Sequence, residues 1–243
     1  MITIITFSLL TFLSTLMGGL FAVKFKNKLH YIMSFAAGVL LGVVAFDIFP
    51  EIIDQVATYG FDSLQVMVAM VIGFLFFHIL EKSILIQHCQ DEECSVHHKH
   101  PDIGIASALA LIGHSFIDGV GIGLGFQISP AVGVFIAIAV ISHSFTDGMN
   151  SITFLLNHGN NEKKSKSFLL LHATAPILGV VSTLFFTLPQ YFLTLYLGFF
   201  AGFLLYIGAS DILPEAHAKQ SSYKMIGLTV MGALFIFLIT RLV

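Results

Sequence analysis

Charge is scarce in this sequence: 10% of its 243 residues are Asp, Glu, Lys or Arg, against 56% hydrophobic residues and a mean hydropathy of +0.92. Ordinary globular chains carry roughly 25% charged residues, so a soluble domain is excluded. Cysteine is almost absent too. Cys89 and Cys94 are the only two and fall in one predicted cytoplasmic connection, where reduced thiols are expected rather than a disulfide framework. Neither H-E-x-x-H nor a serine-nucleophile motif occurs, which weighs against a hydrolase. The apolar runs are long rather than short and alternating, which excludes a β-barrel. No positive charge precedes the first run and a basic cluster follows it, the reverse of a secretory signal; we expect that run to be retained.

What is present is a series of runs near the ~20 residues a helix needs to cross hydrocarbon. They fall at about 2–23, 31–53, 63–80, 103–126, 130–156, 167–188, 191–213 and 223–242, predicting a single multi-pass domain of eight transmembrane helices. Ten of the eleven basic residues lie in alternate connections: Lys24, Lys26 and Lys28; Lys82 and Lys99; Lys163, Lys164 and Lys166; Lys219 and Lys224. One-sided bias marks the cytoplasmic face. Both termini are therefore expected outside, in the cell (inner or plasma) membrane. The net charge of −3 says little about partners.

The chain also repeats itself. Residues 35–51, FAAGVLLGVVAFDIFPE, and 199–215, FFAGFLLYIGASDILPE, are identical at ten of seventeen positions, including Asp47/Asp211, Pro50/Pro214 and Glu51/Glu215. They lie on the second and seventh spans, which run in opposite directions, so the repeat is inverted, as in many secondary transporters. HSFIDG at 114–119 and HSFTDG at 143–148 fall on spans four and five, also antiparallel. The predicted architecture is an all-α bundle of three helices, a central pair, and three inverted helices.

Residues i and i+4 share a helix face, which pairs His114 with Asp118 and His143 with Asp147. Each histidine lies near the middle of its span, so the antiparallel neighbours bring two imidazoles and two carboxylates to one depth. That mixed set suits Zn²⁺, Fe²⁺, Mn²⁺ and similar ions. Charge sharpens the point. Asp47, Asp118, Asp147 and Asp211 lie within spans, and no Lys or Arg sits deep in any span to pair with them. An intramembrane charge costs about 2.5–3.5 kcal/mol on insertion scales and usually marks an ion pathway. A bound dication neutralises two at once. Ser115, Ser144 and Asn150 are candidate secondary ligands, although a serine hydroxyl inside a helix also bonds back to a carbonyl. The glycines of span four, 113, 119, 121, 123 and 125, give it a face for close approach.

HSFIDG and HSFTDG resemble the H-N-x-P-E-G and H-N-x-x-D-G motifs of the ZIP (zinc/iron permease) family. AAGVLLGVVAFDIFPE and AGFLLYIGASDILPE are similar to that family's second and seventh helices, and LHATAPILGV (171–180), more loosely, to its sixth. The resemblance implies eight spans, outside termini, a His-bearing loop between helices three and four, and import of divalent metal into the cytosol. It places the transport site on His114, Asp118, His143 and Asp147. Against H-N-x-P-E-G, both copies in this chain depart: Ser115 and Ser144 stand for Asn, Asp118 and Asp147 for Glu, and Ile117 and Thr146 for Pro. The family's second, bridged metal uses the Asn and carboxylate positions, which puts a binuclear centre here in question. Helix six often offers a carboxylate where Pro176 stands. His172 is nearby, and whether it compensates is open.

Asp47 and Glu51 are expected in an outer vestibule; Asp211, Glu215 and His217, with His78 and Glu81, in an inner one. Pro50 and Pro214 each free a carbonyl one turn earlier, of Phe46 and Ser210. The segment 86–102 carries His88, Cys89, Cys94, His97, His98 and His100, a metal-binding composition whose spacing matches no closed finger. A collector of imported metal and a loop with incidental ligands are its two readings. NHGNNEKKSKS (157–167) reads as a solvated linker. No cofactor is expected beyond the carried ion, zinc first, with iron, manganese, cobalt or cadmium as alternatives. Partners are divalent ions, the lipid bilayer and, as a candidate, a second copy; nucleic acid is not one. The rival readings are a membrane-embedded zinc hydrolase and a sensor without flux.

Overall fold

The computed structural model describes residues 2–24, 29–88, 101–217 and 222–241, and every element among them is helical. Eight rods form. They are α1 (Ile2–Lys24), α3 (Ser63–His88), α4 (Pro101–Ile128), α5 (Pro130–Asn157), α6 (Glu162–Ser182, then a 3₁₀ turn Thr183–Phe185) and α8 (Tyr223–Ile239), with two composite rods. Rod α2 joins Leu29–Val43, a π-helical turn Val44–Ile48, and Phe49–Tyr59; α7 joins Gln190–Leu205, a π turn Tyr206–Ile212, and Leu213–His217. The residues at both joints keep right-handed helical dihedrals, so each composite rod is continuous.

Seven rods are long and apolar enough to cross a membrane by length and composition; α8 is apolar but has 17 residues, about 25 Å of helix. Several rods outrun the apolar segments that predict them. Apolarity stops being informative at the membrane edge, whereas caps and side-chain pairs carry a helix further. Rod α6 starts inside the expected linker, at Glu162. There Asn161 Oδ1 accepts from Lys164 N at 2.8 Å and Glu162 pairs with Lys166 one turn on. Rod α3 continues to His88 and α2 to Tyr59, where Gly60 takes φ +68° and donates to Val56 O. Only Ser129 separates α4 from α5; its hydroxyl accepts from Val132 N and Pro130 opens the next helix. This forces the two motif-bearing rods into an antiparallel hairpin.

A π turn stands just before each of Pro50 and Pro214, where the sequence predicts a break in the helix ladder. A proline has no N–H to give to the helix ladder. Just before each one the ladder slips to i→i−5: Phe49 N–H bonds Val44 O, and Leu213 N–H bonds Gly208 O. Asp47 and Asp211 both sit inside these wider turns. The two rods run antiparallel, since Gln55 is bonded to Thr194 at one end while Leu40 abuts Gly208 at the other.

Glycines set the closest contacts. An added Cβ at Gly18 would lie 1.9 Å from Phe145 O, and one at Gly148 2.0 Å from Thr15 O, joining α1 to α5. The same reciprocal approach joins α4 to α6 (Gly119 to Pro176, Gly179 to Phe116), α2 to α8 (Gly38 to Thr229, Gly232 to Phe35) and α3 to α7 (Gly73 to Phe199, Gly202 to Met70). Carbonyls this near leave no room for any side chain. The rods fall into two groups, α1, α4, α5 and α6 against α2, α3, α7 and α8, which meet mainly where α2 crosses α5 and α7 crosses α4. Leu40, Val43, Ile48, Phe200 and Phe203 are buried between them, whereas Leu9, Val68, Ile72 and Leu234 lie exposed on outer rods.

Candidate metal centre

The α4–α5 hairpin brings the two motif copies together. Asp118 Oδ2 lies 3.2 Å from both His114 Nε2 and His143 Nε2. Asp147 Oδ2 lies 3.8 Å from His114 Nε2 and 3.7 Å from His143 Nε2. One donor atom from each of the four falls within 4.8 Å of every other, and this is the one such group of His, Cys, Asp and Glu among the described residues. Four donors at the 2.0–2.2 Å typical of zinc to N or O would lie roughly 3.4 Å apart along the edges of a tetrahedron. The observed spacings straddle that value.

The proton on His143 is fixed by its helix. Nδ1 lies 2.9 Å from the Ala139 carbonyl, which can only accept, so Nδ1 carries the hydrogen. In the neutral ring this leaves the Nε2 lone pair facing two carboxylate oxygens. That arrangement is repulsive unless a proton or a metal cation stands between them. His143 and Asp118 are fully buried, where such repulsion is poorly screened. On the other side His114 meets a wall of rings: Phe77 with centroids at 5.7 Å and Phe203 at 4.9 Å, themselves 4.0 Å apart. Nothing in the spacing of Phe77 or Phe203 singled them out, because the wall comes from α3 and α7.

The ZIP zinc transporter family model matches residues 86–240, more than half of the chain and all of α4–α8. The chain belongs to the ZIP zinc transporter family. No curated protein matches it. Membership makes it a divalent-metal transporter and an integral membrane protein, and the family's members are transporters rather than enzymes. Its apolar rods accord with that. The matched range includes the second copy of the long repeat, at 199–215, and not the first.

The other candidates of this ZIP chain are more dispersed. Ser144 Oγ donates to Val140 O at 2.7 Å, while Ser115 Oγ lies 2.7 Å from His172 Nε2 on α6. Asn150 is half-buried. Asp47 Oδ2 is buried without a hydrogen-bond partner among the described residues. One turn on, Glu51 accepts from Gln55 Nε2 at 2.7 Å. At the opposite end, His217 Nδ1 donates to Leu213 O and the His78 ring packs edgewise on Tyr206 at 5.6 Å. Asp211 is half-buried. Glu81, His88 and Glu215 lie in helices, but their side chains are outside the description; so, entirely, are Cys89, Cys94, His97, His98 and His100.

Proposed function

We infer that this protein carries a divalent transition-metal ion, zinc first, into the cytoplasm through His114, Asp118, His143 and Asp147. The observation that carries the reading is the convergence of these four donors at near-tetrahedral spacing, deep in two apolar rods whose sequences hold no Lys or Arg. Two carboxylates and two neutral imidazoles cancel a dication's charge and replace its water. The bias of Lys toward alternate connections supports outside termini and a cytoplasmic 86–102 segment, which would receive the ion. Asp47 and Glu51 form the outer approach; Asp211, Glu215, His217, His78 and Glu81 form the release side.

The glycine contacts support the three-two-three inverted repeat. Inversion exchanges α1 with α6, α2 with α7, α3 with α8 and α4 with α5. It converts the α1–α5 contact into α6–α4 and the α2–α8 contact into α7–α3, and all four occur. Gly38 and Gly202 are equivalent in the long repeat, and Gly119 and Gly148 in the short one. The site thus rides on one group of rods, α1, α4, α5 and α6, and displacement of that group against the other gives alternating access.

The test is purified protein in liposomes loaded with a zinc-sensitive dye. Inward flux that disappears in His143→Ala and Asp118→Ala supports the reading. Bound zinc without flux in the wild type supports the sensor instead.

A further inference from the structure

The serines that follow the two histidines occupy matched positions and meet different partners. Ser144 bonds back within its own helix, to Val140 O, as a helical hydroxyl ordinarily does. Ser115 bonds across to His172 Nε2 of α6 at 2.7 Å, with both side chains buried. His172 Nδ1 is also buried and has no hydrogen-bond partner among the described residues, so one ring nitrogen is unsatisfied there in either neutral tautomer. For packing alone an apolar residue would serve better. Pro176, inside α6, has no N–H to give to the His172 carbonyl one turn earlier. At Gly119 and Gly179 the same two rods come to backbone contact, which holds the Ser115–His172 pair in place beside His114.

The geometry points to His172 as a positioning residue: through Ser115 it fixes the turn of α4 that carries His114, without itself binding the ion. On α5 the equivalent task falls to the Ala139 carbonyl, which orients His143 from within the helix. On α4 the tie nearest the histidine crosses to α6, so the ligand geometry of one motif copy depends on a neighbouring rod. This inference rests on the four-residue site proposed above.

Co²⁺ binding to the purified full chain tests it, read by the visible absorption of the ion and by its dissociation constant. Losing a group that orients a metal ligand typically weakens binding 10–100-fold. Ser115→Ala and His172→Ala should each weaken Co²⁺ binding about tenfold and shift the absorption in the same direction. The double variant should be no weaker than the weaker single, because both break one bond. His172→Gln, which keeps a hydrogen-bonding group, should recover most of the affinity, and Ser144→Ala should match the wild type. Multiplying effects in the double variant would overturn the inference. So would loss of a nitrogen from the cobalt shell, by X-ray absorption, in His172→Ala but not in Ser115→Ala, because His172 would then be a ligand. A wild type that binds no Co²⁺ defeats the underlying site; a wild type that binds alongside unaltered variants defeats only the positioning role. A His172→Ala protein that aggregates leaves Ser115→Ala, a single-oxygen deletion, to decide.

Discussion

Two copies of one six-residue pattern, HSFIDG on α4 and HSFTDG on α5, lie face to face and are supported in opposite ways. The α5 copy is self-contained: His143 is anchored to Ala139 and Ser144 to Val140, both in its own helix. The α4 copy leans outward, with Ser115 on α6 and His114 against Phe77 and Phe203. The carboxylates differ too, since Asp118 is 3.2 Å from both imidazoles whereas Asp147 stands at 3.7 and 3.8 Å. A shared sequence fixes which groups are offered; the neighbouring rods decide how firmly each is held.

The largest expected effect tests that inequality directly. Asp118→Ala removes the oxygen nearest both histidines and should bring zinc flux to the level of empty liposomes, as should His143→Ala. Asp147→Ala and His114→Ala should retain measurable flux. Equal losses at all four positions would erase the distinction between the copies.

Acidity gives the next largest effect. An imidazole must be neutral to ligate, and an unperturbed histidine takes up its proton near pH 6.5. Protonation therefore competes with metal, and zinc binding should weaken as pH falls below about 6. Each imidazole that must shed a proton adds up to about tenfold per pH unit. A slope approaching two in log affinity against pH means that both copies contribute, and a slope of one means that a single copy does. Uptake rising steadily with acidity would contradict the scheme.

Much of this comparison is legible in the sequence. A four-residue spacing places each His/Asp pair on one helix face, and two mid-span positions on a tight antiparallel pair have to meet. Asp118 and Asp147, on spans whose sequences hold no Lys or Arg, signal a cation. The supports are not legible. Whether Ser115 turns to α6 or back along α4 depends on the rotation of one rod against another, which local spacing does not encode. The π turns are half legible: Pro50 and Pro214 announce a broken ladder, but not that it closes again at i→i−5. The helical extension of α6 back to Glu162 hangs on a cap, Asn161, that a hydropathy reading passes over.

Packing gives a smaller and more symmetric effect. Gly119→Ala and Gly148→Ala each drive a methyl to within 2.0 Å of a carbonyl, of Pro176 and Thr15 respectively. Both should lower stability by about 1–3 kcal/mol, read as the thermal midpoint in detergent. An added Cβ at Gly113 would meet nothing within 4 Å among the described residues outside its own turn, and Gly113→Ala should stabilise its helix by about 0.5–1 kcal/mol. If Gly119→Ala is tolerated and Gly148→Ala is not, the two copies differ in packing as well as in support.

The smallest effect belongs to Ser144→Ala. The Val140 carbonyl that accepts its hydroxyl, at 2.7 Å, also accepts the backbone N–H of residue 144 in the α-helical ladder. Deleting the hydroxyl thus strands no acceptor, and a side chain that merely bonds back along its helix adds little and often bends it. Zinc flux should change by less than about twofold and the thermal midpoint hardly at all. The same deletion at Ser115 leaves His172 with neither ring nitrogen partnered in a buried setting, which is costly. A large effect at Ser144 would mean that its hydroxyl leaves Val140 to meet the ion, and the two copies would then be equivalent during transport despite their unequal supports at rest.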